Sequence, residues 1–268
     1  MTGTDFADLR YETDDGVATV TIDRPDKYNA LAFSTMGELN EAIRTADEDD
    51  GVYALVVTGA ETDGSPAFSA GADLGDDMED VQRQTAEEYR GVLGTIQNVV
   101  RQLRTIETPS VAAVNGIAVG AGAAPALGAD LRVFGPEGRI REGFVKVGLV
   151  PGDGSGWLLP RLVGEAKARE YLLTGRDIDA EEAVRIGLAV QEADDSLAAA
   201  HDLAAELRDL PAEAMGRTKD LLAIDGSFDD YCSAAASAQW ACLHDDEHRE
   251  AVAAFREKRD PEYDRDYA

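Results

Sequence analysis

The chain has 268 residues, 44% of them hydrophobic, and a formal net charge of −28. That apolar content can bury the core of one large or two small domains, which excludes a disordered chain as the default reading. No apolar run approaches the roughly 18 residues of a membrane span, and so acidic a chain lacks the clustered cations that neutralise nucleic-acid phosphates.

The acid is spread along the chain, and five lysines stand against 20 arginines. Like charges at this density repel unless salt screens them, so a halophilic solvent is expected. The start, MTGTDFADLRYETDD, has neither the basic region nor the apolar core of a targeting signal, which predicts a cytoplasmic protein. Cys232 and Cys242 make no disulfide framework and are expected to be small buried hydrophobes.

In chain order, LRYETDDGVATVTID alternates as two strands joined by a turn at Asp14-Asp15-Gly16. Met36, Leu39, Ile43 and Ala46 fall at helical spacing within 34–49, with Ser34 as the expected N-cap. YALVVTG (53–59) reads as a buried strand, and the Gly- and Asp-rich stretch 61–82 as a loop able to move. A helix over about 87–103, a strand at 110–114 and a strand LRVF (131–134) follow. From 165 the pattern is helical: EAKAREYLL, AEEAVRIG, SLAAAHDLAAELRDL and a long segment 229–258. Strands alternating with helices predict an α/β core, with the helical tail an added module.

Several motifs are set aside. The glycines of GIAVGAG miss the dinucleotide spacing, and Ser155 in GDGSGW has Asp153 and Trp157 where the G-x-S-x-G nucleophile elbow needs glycines. His244 and His248 are spaced i, i+4 without the glutamate of a zinc-protease helix, so an exposed charged helix is expected and no metal site is predicted. His201 is expected to be structural or exposed. Two segments remain: AFSAGADL (67–74) and NGIAVGAGAAPALGAD (115–130). Glycines in the second precede a helix predicted to start near Ala121, with Pro125 in its first turn. Free N–H groups there, helped by the helix dipole, suit an anion, and one N–H from each segment could form an oxyanion hole.

Together with VTIDRPDKYNAL (20–31), TPSVAAVNGIAVGAG (108–122), FVKVGLVPGDGSGWLLPRLVG (144–164) and LLTGRDIDAEEAVRIGLA (172–189), these segments resemble the crotonase superfamily, the enoyl-CoA hydratase and isomerase family. The resemblance implies a crotonase-like α/β spiral of ββα turns over 1–195 and a helical C-terminal trimerisation region over 196–268. It also implies a homo-oligomer, a trimer or dimer of trimers, and an acyl-CoA thioester substrate of the kind met in fatty acid metabolism. Coenzyme A then enters as part of the substrate, and no permanently bound cofactor is expected. By motif position the N–H groups of Ala70 and Ala121 would hold the thioester oxygen. Ala70, Gly71, Ala72 and Asp73 would lie along the substrate, Lys27 and Tyr28 near the CoA moiety, and Phe68, Ala124, Phe144 and Trp157 around the acyl pocket. The two glutamates with which hydratases of the family handle water and proton fall on Ala124 and Phe144, a methyl and a phenyl that cannot transfer protons.

Candidate replacements are Asp153, next to the position where some isomerases and dehalogenases of the family carry a working aspartate, and Glu142. Glu142 lies two residues before Phe144, on the same face if the path is strand-like. Double-bond isomerisation needs one base and suits this residue set better than hydration. Hydrolysis or dehalogenation with Asp153 as nucleophile, and a non-catalytic CoA-binding subunit, are the alternatives.

Overall fold

The chain enters its fold as a hairpin: β1 (Leu9–Asp14) and β2 (Val17–Ile22) pair antiparallel, with Asp14 opposite Val17. Asp15 (φ 47°) and Gly16 (φ 76°) form the turn, both left-handed as a two-residue hairpin loop requires. The structure is a computed structural model and describes residues 6–62, 64, 66–73, 81, 83–265 and 267. Most of the second half of the expected 61–82 loop therefore lies outside the described residues.

From β2 the sheet continues in parallel through β3 (Ala54–Gly59), β5 (Ser110–Val114), β7 (Leu131–Phe134) and the short β10 (Gln191–Glu192). A second sheet holds β4 (Ala67–Ser69), β6 (Ile117–Val119), β8 (Arg139–Arg141) and β9 (Asp177–Asp179), in that order. Three successive turns of the chain each place one strand in either sheet and then a helix. β3 and β4 lead to the helix Ala86–Thr105, and β5 and β6 to Ala124–Gly128. β7 and β8 lead to Ser155–Val163 and Glu165–Thr174. This is the ββα spiral expected from the sequence.

Strand residues alternate between two apolar layers. Ala18, Val20, Leu55, Val57, Ala112 and Val114 face the larger layer, which includes Leu39 and Ile43 from the helix Phe33–Glu48 and Val99 and Leu103 from Ala86–Thr105. Val17, Ala54, Val56, Val111, Ala113 and Val133 face the other way, under Ala200 and Ala204 of the helix Ser196–Arg208. That helix closes one face of the sheet, so the packed core runs past residue 195. The helices that follow, Ala212–Ala223, Phe228–Cys242 and Asp246–Glu257, leave Phe228, Trp240 and Phe255 exposed.

Local details differ from expectation for identifiable reasons. The first long helix starts at Phe33 with Ala32 as its N-cap, and Ser34 instead donates its hydroxyl to Asp8. The 229–258 segment is two helices, broken at Leu243 and restarted by Asp245, whose carboxylate caps the second. His244 sits in the break and His248 in the second helix, so they share no helix face. Cys232 is exposed and Cys242 half-buried, so the cysteines are not core residues. Among the described residues no helix is long and apolar enough to cross a membrane.

Candidate active site

The site begins with a close approach of two bare backbones. β4 and β6 pair in parallel, and the chain beyond each stays in contact. A Cβ on Gly122 would fall 2.4 Å from Ser69 Oγ, and one on Gly71 2.8 Å from the carbonyl oxygen of Val119. Gly71 also has φ 105°, which side chains rarely adopt. Glycine at both positions lets the two segments touch, and they bring Ala72 and Ala121 to the wall of one cavity of about 260 Å³.

Hydrogen bonding decides which N–H groups are free there. The N–H of Ala70 donates to the carbonyl of Tyr28 at 2.9 Å, so it is not available to a ligand. Leu31 pairs on either side of Ala72: its N–H reaches Gly71 O at 2.7 Å and its O receives Asp73 N at 2.9 Å. The N–H of Ala72 therefore points away from Leu31, and it has no acceptor among the described residues. Ala121 is the second residue of a 3-10 turn, Gly120–Ala123, and its N–H likewise lacks an acceptor. The free pair is thus Ala72 and Ala121, and the expected Ala70 is displaced by two residues. The α-helix proper is only Ala124–Gly128, so the dipole contribution expected from it is small.

Two carboxyl groups meet on the other side. Asp153 lies in the turn before the helix Ser155–Val163 and lines the cavity. Gln97 fixes that turn by donating to Gly152 O at 2.7 Å. Glu142 follows β8 directly. Both are buried, 1% and 2% exposed, and Ser155 Oγ lies 2.6 Å from Asp153 Oδ1 and 2.8 Å from Glu142 Oε2. Asp153 Oδ1 also accepts the N–H of Ser155 at 3.1 Å. The second oxygens, Asp153 Oδ2 and Glu142 Oε1, are buried without partners. Burial, and then the charge of Asp153, push Glu142 well above the usual carboxylate range against the Ser155 hydrogen bond. Burial raises Asp153 too, opposed by the hydroxyl and N–H of Ser155. A buried carboxylate with one free oxygen in an apolar cavity is a competent base.

The sequence profile of enoyl-CoA hydratase/isomerase matches residues 12–266. The chain belongs to this family. It is 41% identical over 213 residues to a probable enoyl-CoA hydratase of Mycobacterium tuberculosis, covering 77% of each chain. It is 32% identical over 252 residues to the 1,2-epoxyphenylacetyl-CoA isomerase of Escherichia coli K12, covering 92% of this chain and 95% of that one. Among solved structures, DspI of Pseudomonas aeruginosa superposes with a TM-score of 0.89 at 31% identity, covering 98% of this chain and 99% of that one.

Within this enoyl-CoA hydratase/isomerase family member, the other expected residues divide. Phe144 lines the cavity and packs on Gly120. It sits in a 3-10 turn, Phe144–Val147, so it shares no strand face with Glu142, whose carboxyl turns to Ser155 instead. Phe68 is fully buried in the core, Ala124 is fully buried behind Ala121, and neither lines the cavity. Trp157 is on the surface, stacked by Arg161 at 3.7 Å and by Arg104, and is not a pocket residue. Asp73 lines the cavity but its carboxylate is paired with Arg24 at 3.0 Å. Lys27 and Tyr28 are exposed just ahead of Leu31 and outside the cavity. Sequence reasoning missed Ser155 as the bridge between the two acids. It also missed the apolar wall from Phe33, Met36, Leu93 and Ile96, whose signal was only the helical spacing that any core gives.

Proposed function

We propose that this protein shifts a double bond in, or exchanges protons on, an apolar acyl-CoA through a thioester enolate, with Asp153 as its single base. One observation carries the reading: a buried aspartate with a free oxygen lines the same apolar cavity as two unpartnered backbone N–H groups. Asp153 takes a proton from the acyl chain beside the thioester or its conjugated extension. The C–H electron pair becomes the enolate, and the protonated Asp153 then returns the proton to the other carbon. The N–H groups of Ala72 and Ala121 receive the oxyanion, and one such donor is worth about 3 kcal/mol in a transition state. Exposed Lys27 and Tyr28 would meet the CoA portion outside the cavity. The exposed apolar residues of the last three helices support self-association into the trimer expected of the family.

A second reading, hydration, is supported by the second carboxyl, Glu142, and by the hydratase names of relatives. Glu142 does not line the cavity, which favours one base over two. The test incubates the protein in high salt and deuterated water with crotonyl-CoA, 3-hexenoyl-CoA and phenylacetyl-CoA, following product mass. Deuterium uptake or 3-to-2 isomerisation that vanishes in Asp153→Asn is expected. Rapid hydration of crotonyl-CoA without isomerisation would overturn the one-base reading.

A further inference from the structure

The space between Glu142 and Asp153 contains too few hydrogens for two carboxylates. Ser155 has one hydroxyl hydrogen, yet its oxygen lies within hydrogen-bonding distance of both acids, 2.6 Å from Asp153 and 2.8 Å from Glu142. A hydroxyl serves two such neighbours only by donating to one and accepting from the other, so one acid must carry a proton. With both ionised, a carboxylate oxygen would face the lone pairs of Ser155 at contact distance.

The surroundings say which acid is neutral. Asp153 Oδ1 accepts a second hydrogen bond, from the N–H of Ser155 at the start of the helix Ser155–Val163. Among the described residues the Glu142 carboxyl has no hydrogen bond except the one to Ser155, and its Oε1 is buried and bare. Negative charge is better placed on the acid with two donors. We infer that Glu142 is a neutral positioning residue: its carboxyl proton donates to Ser155 Oγ, and the Ser155 hydroxyl donates to Asp153, holding that side chain ionised with Oδ2 free.

This deepens the one-base reading and rests on it for the role of Asp153, though the protonation pattern itself does not. The raised pKa of Glu142 agrees in direction. Other charged groups nearby are already engaged: Arg141, next in the chain, is paired with Asp177, and Asp73 in the cavity with Arg24. Tyr89 is the remaining titratable group lining the cavity among the described residues. Among the described residues no cation is paired with either acid.

The chain of bonds predicts an order of effects. Gln in place of Glu142 can still donate an N–H to Ser155 Oγ, whereas Ala cannot. Ser155→Ala removes the hydroxyl donor from Asp153 outright. Losing a donor to the charged form raises the pKa of Asp153.

Two measurements test this. The first needs no substrate: infrared difference spectra at neutral pH should contain the C=O stretch of one buried protonated carboxyl that is missing in Glu142→Gln and present in Asp153→Asn. The second follows the pH dependence of deuterium exchange into phenylacetyl-CoA, with thermal unfolding as the check on folding. The acid limb should shift up by about one pH unit in Ser155→Ala, shift less in Glu142→Ala, and stay near the parent in Glu142→Gln. Exchange in Glu142→Gln should recover at least about tenfold over Glu142→Ala. Infrared loss in Asp153→Asn rather than in Glu142→Gln, or no protonated band at all, would overturn the inference. Glu142→Ala losing stability with an unmoved acid limb would reduce the residue to packing. Asp153→Asn retaining exchange would instead sink the one-base reading while leaving the protonation pattern standing.

Discussion

Ser69 and Gly122 touch so closely that a single methyl group on Gly122 would lie 2.4 Å from Ser69 Oγ and 2.7 Å from Ser69 O. The contact joins the segment that carries Ala72 to the one that carries Ala121. Gly122→Ala must therefore push the two N–H groups apart, and trimming Ser69 does not relieve the backbone clash. An ångström of misplacement typically costs about 100-fold in rate, so kcat/KM should fall by about that factor with CoA binding largely kept. Gly91, in the helix Ala86–Thr105, has nothing within 4 Å of such a methyl. Gly91→Ala should be neutral or stabilise by up to about 1 kcal/mol. Steady-state kinetics and thermal unfolding of the two variants check the contrast.

In the one-base reading, Asp153 must be ionised to work. Burial raises Asp153 above its ordinary 3.8, so turnover should rise with pH through a midpoint displaced upward from that value and then level off. A pH–rate profile of isotope exchange, corrected for acid unfolding, tests this. A midpoint at or below the ordinary aspartate value would contradict it.

Glu142 also links stability to pH. Its folded pKa lies above its unfolded value, so the native state binds the extra proton. No penalty exists below the unfolded pKa, near 4.5. Stability is then lost as pH rises from there through the folded value. Gln cannot ionise and escapes this loss. Glu142→Gln should thus match the parent near pH 4 and melt higher on the alkaline side, measured by unfolding scans across pH.

Asn29 is the residue on which the first loop turns. Tyr28 (φ 51°) and Asn29 (φ 56°) are consecutive left-handed residues, a conformation Asn tolerates better than most. The buried amide of Asn29 donates to Ala60 O at 2.9 Å and Ala67 O at 2.8 Å, and its oxygen accepts Arg24 N at 3.1 Å. Asn29→Ala strands two buried carbonyls and should cost about 2–4 kcal/mol. Because Tyr28 O receives Ala70 N, the loss should also lower kcat/KM. Chemical denaturation and kinetics on the same preparation read both effects.

The spiral was legible because its strands are short apolar runs with glycine or charged punctuation, as in ALVVTG (54–59) and LRVF (131–134). The pair β6 and β8, three residues each, was too short for any periodicity to register. At the site, the small residues of 115–130 announced a close backbone approach, which the structure has at Gly122. Which N–H was free depended on Leu31, about forty residues away, and no spacing rule within AGAD could reveal it. Glu142 and Asp153 were both visible as candidate acids. Their union through Ser155 was not, since it depends on the turn at Gly154 bringing the start of one helix against the end of β8. Trp157 shows the converse: its place beside the motif points to the pocket, but helix geometry turns the ring toward Arg161.

Peptide N–H groups at Ala72 and Ala121 cannot be deleted by changing a side chain, so the grip on a thioester oxygen that we propose for them would be written into the path of the chain. The acids proposed to handle protons are ordinary side chains on separate segments. Changing residue 124, 144 or 153 can therefore redirect the reaction while the carbonyl stays anchored. Such a division makes the scaffold a natural starting point for laboratory evolution of new acyl-CoA chemistry, provided that the glycines between the two anchoring segments are left untouched.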